Sequence, residues 1–309
     1  MKKLNLIFVL FISIICLNAQ TVKEMKVSSF NIRYDNSSDA DAGNGWVNRC
    51  PVIANMILFH DLDIVGTQEC KSNQVDDLNR ALANYSYVGR GRGTNPTDDE
   101  YSAIFYKTDK FNLIKSGNFW LSETPDVPSK GWDASLNRIC SWGEFEEKET
   151  GFKFFTFNLH MDHIGTDARK YGAKLTVEKI KEIAEDAPVL LTGDFNVSQE
   201  NEVYTIFTNC RLLSDAYVLS PIVYAPNGTF NGFNIANTTR DRIDHIFITD
   251  HFTPTRYGVL TDIYWTNNDG LPSHSGDFPV ETGFVIGTPR LPSDHYLVVV
   301  GLKYPVFAN

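Results

Sequence analysis

The sequence predicts an α/β fold in which sheets of mixed strand order pack on each other with helices outside. Three observations point there. Short apolar runs of strand length recur along most of the chain. Three segments, residues 51–60, 71–84 and 166–186, instead carry apolar residues at helical spacing. The order is strand–helix–strand–helix at first and mostly strands afterwards, which is neither strict alternation nor segregation. At 42% hydrophobic and 21% charged residues, the composition is that of a globular chain. No low-complexity tract, Pro/Ser linker or fixed-period repeat divides it, so a single domain over residues 20–309 is expected.

Taken in order, residues 1–19 stand apart. Lys2 and Lys3 precede an apolar stretch over 4–17, and Asn18-Ala19-Gln20 offers a small residue for cleavage. This is the pattern of a secretory signal, too short for a convincing membrane span. Cys16 raises lipid attachment, but Ile15 stands before it where lipoprotein processing takes a small side chain. Cleavage after Ala19 is therefore expected, leaving an exported, periplasmic or extracellular protein with no membrane insertion.

Residues 25–33 then read as a strand ending in polar groups, followed by an Asp/Asn/Gly-rich loop over 35–45. Residues 51–60 read as a helix with Pro51 near its first turn and Val52, Ile53, Met56 and Ile57 on one face. A short apolar strand over 63–68 leads to Glu69, and Val75, Leu78 and Leu82 mark the helix over 71–84. Gly89-Arg90-Gly91-Arg92-Gly93 is a flexible basic loop that reads better as a turn than as a phosphate grip, because no helix start follows it. Strands follow over 101–106 and 111–116, then a paired set over 138–145 and 152–160. Ala173, Val177, Ile180 and Ala184 form the stripe of a long helix over 166–186. The apolar run 187–191 reads as a strand buried on both faces and stops at Gly193-Asp194-Phe195-Asn196. If the strand continues, Asp194 and Asn196 share a face by two-residue alternation. A short helix over 202–207 and strands over 242–249 and 295–304 complete the chain.

Removal of the signal takes away two lysines and no acid, moving the formal charge from −10 to −12. Such a chain does not attract polyanions over its whole surface. A phosphate-bearing substrate needs local neutralisation by a metal or a few arginines. Cys50, Cys70, Cys140 and Cys210 match no zinc spacing. Export permits disulfides, and Cys50 and Cys70 fall at element ends on the same side of a sheet, so a bridge between them is a hypothesis.

The polar residues at strand ends form one set. They are Asn31, Glu69, His160, Asp194, Asn196, Asp244 and the pair Asp294-His295. Strand ends are where a sheet fold assembles a site from distant stretches of chain. Glu69 and Asp294 with the Asn31 amide suit a hard, oxygen-loving ion such as Mg²⁺ or Mn²⁺. No cysteine belongs to the set and no histidine pair has the HExxH spacing, which disfavours zinc. Asp244 and His295 suit an acid–imidazole pair. His160 and Asn196 remain as donors to a developing negative charge. Arg138, His163 and Arg169 are candidates for substrate binding, and Arg33 for support of the same site. Asp162 and His245 read as structural, because neighbours on a strand face opposite ways.

Six motifs in this order, from Ser-Phe-Asn31-Ile-Arg to Ser-Asp294-His295-Tyr, resemble the endonuclease/exonuclease/phosphatase family, whose fold is similar to that of deoxyribonuclease I. The resemblance spans residues 25–302. Phe119-Trp120-Leu121-Ser122-Glu123-Thr124-Pro125 and Lys130-Gly131-Trp132-Asp133 are similar to a bacterial branch of metal-dependent hydrolases. The resemblance implies a four-layer α/β/β/α sandwich of two mixed sheets with the site at one edge. It implies metal binding by Asn31 and Glu69, with Asp294 near a metal or the attacking water. It implies that Asp194 orients or deprotonates water, that Asn196 and His160 hold phosphate, and that Asp244 pairs with His295 as acid/base or phosphate donor.

The expected activity is hydrolysis of a phosphate mono- or diester, a phosphorylated sugar among them, by metal-assisted in-line attack of water. A nuclease needs a cationic groove, which the acidic chain with no Lys/Arg-rich stretch disfavours. A non-catalytic phospho-ligand binder is disfavoured because every metal and acid/base candidate is present. A monomer is expected.

Overall fold

The computed structural model describes residues 21–95, 99–267, 270–273, 276–277 and 279–306. The signal expected over 1–19, Cys16 included, lies outside the described residues. In chain order the strands are β1 (Thr21–Asn31), β2 (Ile64–Gln68), β3 (Tyr85–Val88), β4 (Ile104–Lys107), β5 (Phe111–Trp120), β6 (Ile139–Glu147), β7 (Lys153–His160) and β8 (Val189–Asp194). They continue with β9 (Ser214–Asp215), β10 (Val223–Tyr224), β11 (Asp244–Ile248), β12 (Thr253–Leu260), β13 (Tyr264–Thr266), β14 (Thr288–Arg290) and β15 (Leu297–Val306). The helices are α1 (Ser37–Asp39), which runs into a π-helical turn over Ala40–Asn44, then α2 (Trp46–Phe59), α3 (Ser72–Ala81), α4 (Thr166–Ala184), α5 (Glu202–Thr208) and α6 (Ala216–Leu219).

A seven-stranded sheet runs β10-β12-β15-β1-β2-β4-β3 and a six-stranded sheet runs β5-β6-β7-β8-β11-β9. Both are mixed: β1 is parallel to β2 and antiparallel to β15, and β8 is parallel to β7 and antiparallel to β11. The apolar residues sort into three clusters that define the layers. One, with Val27, Ile64, Phe154, Leu190, Ile246 and Val300, fills the space between the sheets. A second packs Ile53, Ile57, Val75 and Leu78 of α2 and α3 on the outer face of the seven-stranded sheet. The third packs Ala173, Val177 and Ile180 of α4, with Val203 and Phe207 of α5, on Phe155, Phe157 and Leu191 of the other sheet. The result is a four-layer α/β/β/α sandwich. Strands buried on both faces have no polar face, which is why they read as continuous apolar runs.

Near one end of the sandwich the inter-sheet layer turns polar. Asn158 on β7 donates to the carbonyls of Thr67 and Ala103 at 2.8 and 3.0 Å, and its oxygen accepts from Gln68 Nε2 at 2.7 Å and Thr192 Oγ1 at 3.0 Å. The Asn158 amide, with both its N–H groups and its oxygen partnered, helps fix one register between the sheets. Gly66 is what lets the strands approach, since a Cβ there would lie 2.2 Å from Thr192 Oγ1.

The Cys50–Cys70 bridge does not form: Cys50, Cys70, Cys140 and Cys210 are free thiols. Cys70 is buried under α3, and Cys50 packs at the edge of the same cluster. Burial pushes their thiols up to about 12 and about 11, which suppresses the thiolate that disulfide chemistry requires. Helix α2 also starts earlier than its sequence pattern indicates, so Pro51 falls in its second turn. Among the described residues no helix is long and apolar enough to cross a membrane.

Candidate active site

The polar end of the sandwich carries the strand-end residues. Asn31 closes β1 beside Gln68, which closes β2, and Glu69 follows. His160 and Asp194 close the parallel neighbours β7 and β8 in register, and Asp244 opens β11 opposite Asp194. Asp294 and His295 immediately precede β15. The chain turns sharply at three of these ends. Arg33, Glu69 and Asn196 have φ of 57°, 64° and 51°, a left-handed conformation that costs a non-glycine residue on the order of 1–3 kcal/mol. Side-chain hydrogen bonds brace two of them. Asn31 Oδ1 accepts from Arg33 N and Asp194 Oδ1 accepts from Asn196 N, both at 3.0 Å. Asp194 and Asn196 therefore reach one site through a turn, because the strand ends at Asp194 and alternation does not extend to Asn196.

Two further devices fix the floor. Arg49 on α2 is wholly buried and donates only to carbonyls: Asn44 at 2.7 Å, Ile32 at 2.6 Å, Pro292 at 3.1 Å and Arg33 at 3.2 Å. It ties the helix to the end of β1 and to the segment carrying Asp294. Ser293 Oγ donates to the Asn31 carbonyl at 2.7 Å, linking that segment to β1 directly.

At the centre, Asn31 Nδ2 donates to Glu69 Oε1 at 3.0 Å and to Asp194 Oδ2 at 2.9 Å. Asp194 Oδ2 also lies 3.5 Å from His160 Nε2 and 3.7 Å from His295 Nε2. His295 Nδ1 is 2.9 Å from Asp244 Oδ2, with both side chains buried. Asn196 Nδ2 donates to the Met161 carbonyl at 3.0 Å and sits 3.2 Å from His160 Nε2. Arg33 Nη1 faces Asp294 at 3.6 Å and Glu69 at 4.0 Å while its Nε is held by Asp39 at 2.8 Å. Asn31, Glu69, His160, Asp194, Asn196, Asp294 and His295 thus come together, with Asp244 directly behind His295.

The electrostatics divide the two histidines. Burial, reinforced by the positive charges of Arg138 and Arg92, holds His160 well below the usual imidazole range, so its ring is neutral. Burial opposes the charged form of His295 too, but Asp244 and Asp194 outweigh it, and His295 is raised well above the usual range. Burial first, and the Asp244 charge second, push Asp194 up to about 7. Asp294 is raised by burial, with Glu69 adding to the effect. Buried carboxylates crowded this closely fit a cation. Among the described residues, ligand atoms of Glu69, His160 and Asp194 lie within 4.8 Å of one another, as do those of Asp194, Asp244 and His295. Asp244 is spent on His295, so the first group, next to the Asn31 amide, is the better cation site. A carboxylate- and amide-rich set without thiolate fits a hard divalent ion.

These residues open into a pocket of about 420 Å³ that Arg33, Arg138 and His163 also line. Arg138 is buried, 3.2 Å from Asp162, with Nη2 at 2.9 Å from His163 Nδ1 and Nη1 without a hydrogen-bond partner. Arg169 does not line the pocket: its Nη1 donates to the Asp162 carbonyl at 3.0 Å, which spends it on the loop. Asp162 is structural, accepting from the backbone of Ser135, Ile164 and Gly165. His245 is likewise buried away from the pocket, its Nε2 against the Val197 carbonyl at 3.0 Å. Sequence reasoning missed Tyr34, Arg92, Glu100, Leu136 and Phe230, which complete the lining. Only Arg92 carried a signal, in the basic glycine loop.

Two mixed sheets between helices, with carboxylates, imidazoles and amides converging where strands end, define a sandwich hydrolase built around a cation-capable centre. The chain belongs to the endonuclease/exonuclease/phosphatase family, whose model matches residues 28–295. Members of this family are hydrolases acting on phosphoesters. The chain is similar to a mannosyl-6-phosphatase of Bacteroides thetaiotaomicron, with 49% identity, a TM-score of 0.82 and coverage of 90% of this chain and 99% of that one. A second endonuclease/exonuclease/phosphatase family structure from the same organism is 48% identical, with a TM-score of 0.84 over 92% of this chain and 99% of that one. An uncharacterized protein of Acanthamoeba polyphaga mimivirus is 30% identical over 291 residues, covering 89% of this chain and 99% of that protein.

Proposed function

We propose that the chain is an exported, monomeric Mg²⁺- or Mn²⁺-dependent phosphatase that removes the phosphate from a phosphorylated sugar. The observation that carries this reading is the pocket itself. Its floor holds Asp194, His160, Asn196 and His295, and its wall holds Arg33 and Arg138, local positive charge in a chain of formal charge −10, with His163 beside Arg138. A compact anion such as a phosphomonoester matches that layout. The similarity to a mannosyl-6-phosphatase supports a sugar as the rest of the substrate. The lysine-led apolar segment over 1–19 supports export.

Glu69, Asp194 and His160, with the Asn31 amide and Asp294 adjacent, are the residues that would hold the cation. When bound, it would supply charge neutralisation at the phosphoryl group. Asp194 orients the attacking water and takes its proton. His295, held protonated by Asp244, donates to a phosphoryl oxygen, and Asn196 lies beside it as a neutral donor. One water is consumed: its oxygen bonds to phosphorus, the P–O bond to the sugar breaks, and the proton given up by the water goes in net to the sugar oxygen, which leaves as a hydroxyl.

The test is a panel of phosphomonoesters, phosphodiesters, DNA, RNA and sphingomyelin with Mg²⁺, Mn²⁺ or a chelator. A hexose 6-phosphate is expected to give the highest kcat/KM. Faster cleavage of DNA, RNA or a lipid diester would overturn the assignment.

A further inference from the structure

One largely buried ion pair in the pocket hydrogen-bonds to none of the groups given a role in the phosphoryl chemistry. Arg92 Nη1 lies 2.7 Å from Glu100 Oε2, and Arg92 Nη2 donates to Glu100 Oε1 at 2.8 Å. Both side chains are largely buried, and both line the same pocket as Glu69, Asp194 and His295. We propose that this pair is a recognition subsite for adjacent hydroxyls on the sugar ring of the substrate, a proposal that rests on the phosphatase reading above.

Charge balance comes first. Glu100 neutralises Arg92, so the pair adds no net cation for phosphate. A second phosphate placed there, as on a nucleic-acid backbone, would face the Glu100 carboxylate at close range. Neutral hydroxyls meet no such penalty. A carboxylate has about four lone-pair sites and a guanidinium five N–H donors, and the mutual contact consumes two of each. Two acceptor sites and three donors remain on the pair, a mixed set that two neighbouring hydroxyls, each donor and acceptor, can satisfy together.

Rigidity comes second. Arg92 N donates to the Glu100 carbonyl at 3.0 Å, locking the two backbones together. The Arg92 carbonyl accepts from Trp120 Nε1 at 2.6 Å and lies 3.4 Å from Asn137 Nδ2. The fork is therefore held in place before any ligand arrives, which lowers the entropic cost of binding. The rest of the lining supplies the complement. Phe230 is 45% exposed and meets the His295 ring edge-on at 5.1 Å, and Leu136 is 41% exposed. A sugar ring has apolar C–H faces and a hydroxyl-bearing edge. A pocket with an aromatic and aliphatic rim and a carboxylate–guanidinium wall suits both.

The experiment compares wild type with Glu100→Gln and Arg92→Gln, in Mg²⁺, on mannose 6-phosphate and on phenyl phosphate, which has no hydroxyl to bind. Loss of hydrogen bonds to charged partners predicts a fall of about 10–100-fold in kcat/KM on mannose 6-phosphate. The fall on phenyl phosphate is expected to be at least tenfold smaller, and that residual activity also reports folding. Equal losses on both substrates, or none on either, would overturn the subsite and leave the phosphatase assignment standing. If wild type turns over neither ester, the phosphatase assignment fails instead. Saturation-transfer NMR with methyl mannoside then decides the subsite: a signal with wild type that Glu100→Gln abolishes upholds it, and an equal or absent signal overturns it.

Discussion

Asp244→Asn isolates what a carboxylate contributes behind the site histidine. Asp244 is fully buried, its Oδ2 lies 2.9 Å from His295 Nδ1, and its Oδ1 has no hydrogen-bond partner. Asparagine keeps the shape and removes the charge. At that separation and an effective dielectric of ~20, two full charges attract by about 6 kcal/mol. Burial of the ring offsets part of this, leaving a net preference for imidazolium. Removing one such donor at the transition state typically costs roughly 10²–10³-fold in rate. The amide also presents N–H or C=O to Nδ1, so the ring loses its fixed tautomer as well. Phosphate release from a phosphomonoester, followed from pH 5.5 to 9, is the assay. The variant is expected to lose about 10²-fold or more at neutral pH, with the alkaline limb of its profile moved to lower pH. Stability moves in a defined direction too. The folded pKa of His295 is raised above its unfolded value of about 6.5. The pair's contribution is thus fully present below about pH 6.5 and is lost as pH rises through the folded value. Urea unfolding should show a larger penalty for Asp244→Asn at pH 6 than at pH 9.5. A variant that keeps a third of wild-type kcat with an unmoved profile would refute the pairing argument.

Two more outcomes follow from the same geometry. A chelator is expected to abolish turnover, and added Mg²⁺ or Mn²⁺ to restore it and to raise Tm; at a hundred times Kd the ion adds about 2.7 kcal/mol. Glu69→Gln should lose most of that thermal shift in differential scanning fluorimetry, and a full shift in the variant would remove Glu69 from the ion's ligands. Asp162→Ala should cost roughly 3–5 kcal/mol, because it strands the buried Arg138 and several backbone N–H groups. Burial works against the Asp162 charge, but those N–H groups and Arg138 outweigh it and hold the carboxyl well below its usual range. Its contribution is therefore present above about pH 4 and lost in acid. Urea midpoints at pH 7 that match wild type would show the loop needs no such anchor.

The long strands were legible because burial on both faces leaves an apolar run. β2, β7, β8, β11 and β15 carry one, whereas β1 sets Met25, Val27 and Phe30 among Lys26, Ser28 and Ser29. β9 and β10 are two residues each and have no pattern to read. β12 opens with exposed and half-buried positions, and only its second half is fully buried. The start of α2 was illegible for a different reason. Its first turn holds Trp46 by a hydrogen bond to Asp77 on α3 and holds Arg49 by carbonyls of the segments at Ile32 and Arg33 and at Pro292. Tertiary contacts of that kind set the boundary, not local propensity.

The centre of the site was legible for the same reason as the strands. A polar residue that closes a buried apolar run must find a partner, and the partners of Asn31, His160, Asp194 and Asp244 are one another or close neighbours. The wall was not legible, because nothing local compels it. Arg92 and Glu100 meet across a loop whose residues carry no apolar periodicity, and Arg169 could be told from Arg138 only once the Asp162 loop had folded. Strand ends therefore encode the chemistry shared by a phosphoester hydrolase, while the loops between them hold the residues that face the rest of the substrate. The Arg92–Glu100 pair stands on that second level. Specificity within such a fold can change there without disturbing a single strand-end residue, and the Glu100→Gln comparison on two esters measures that separation directly.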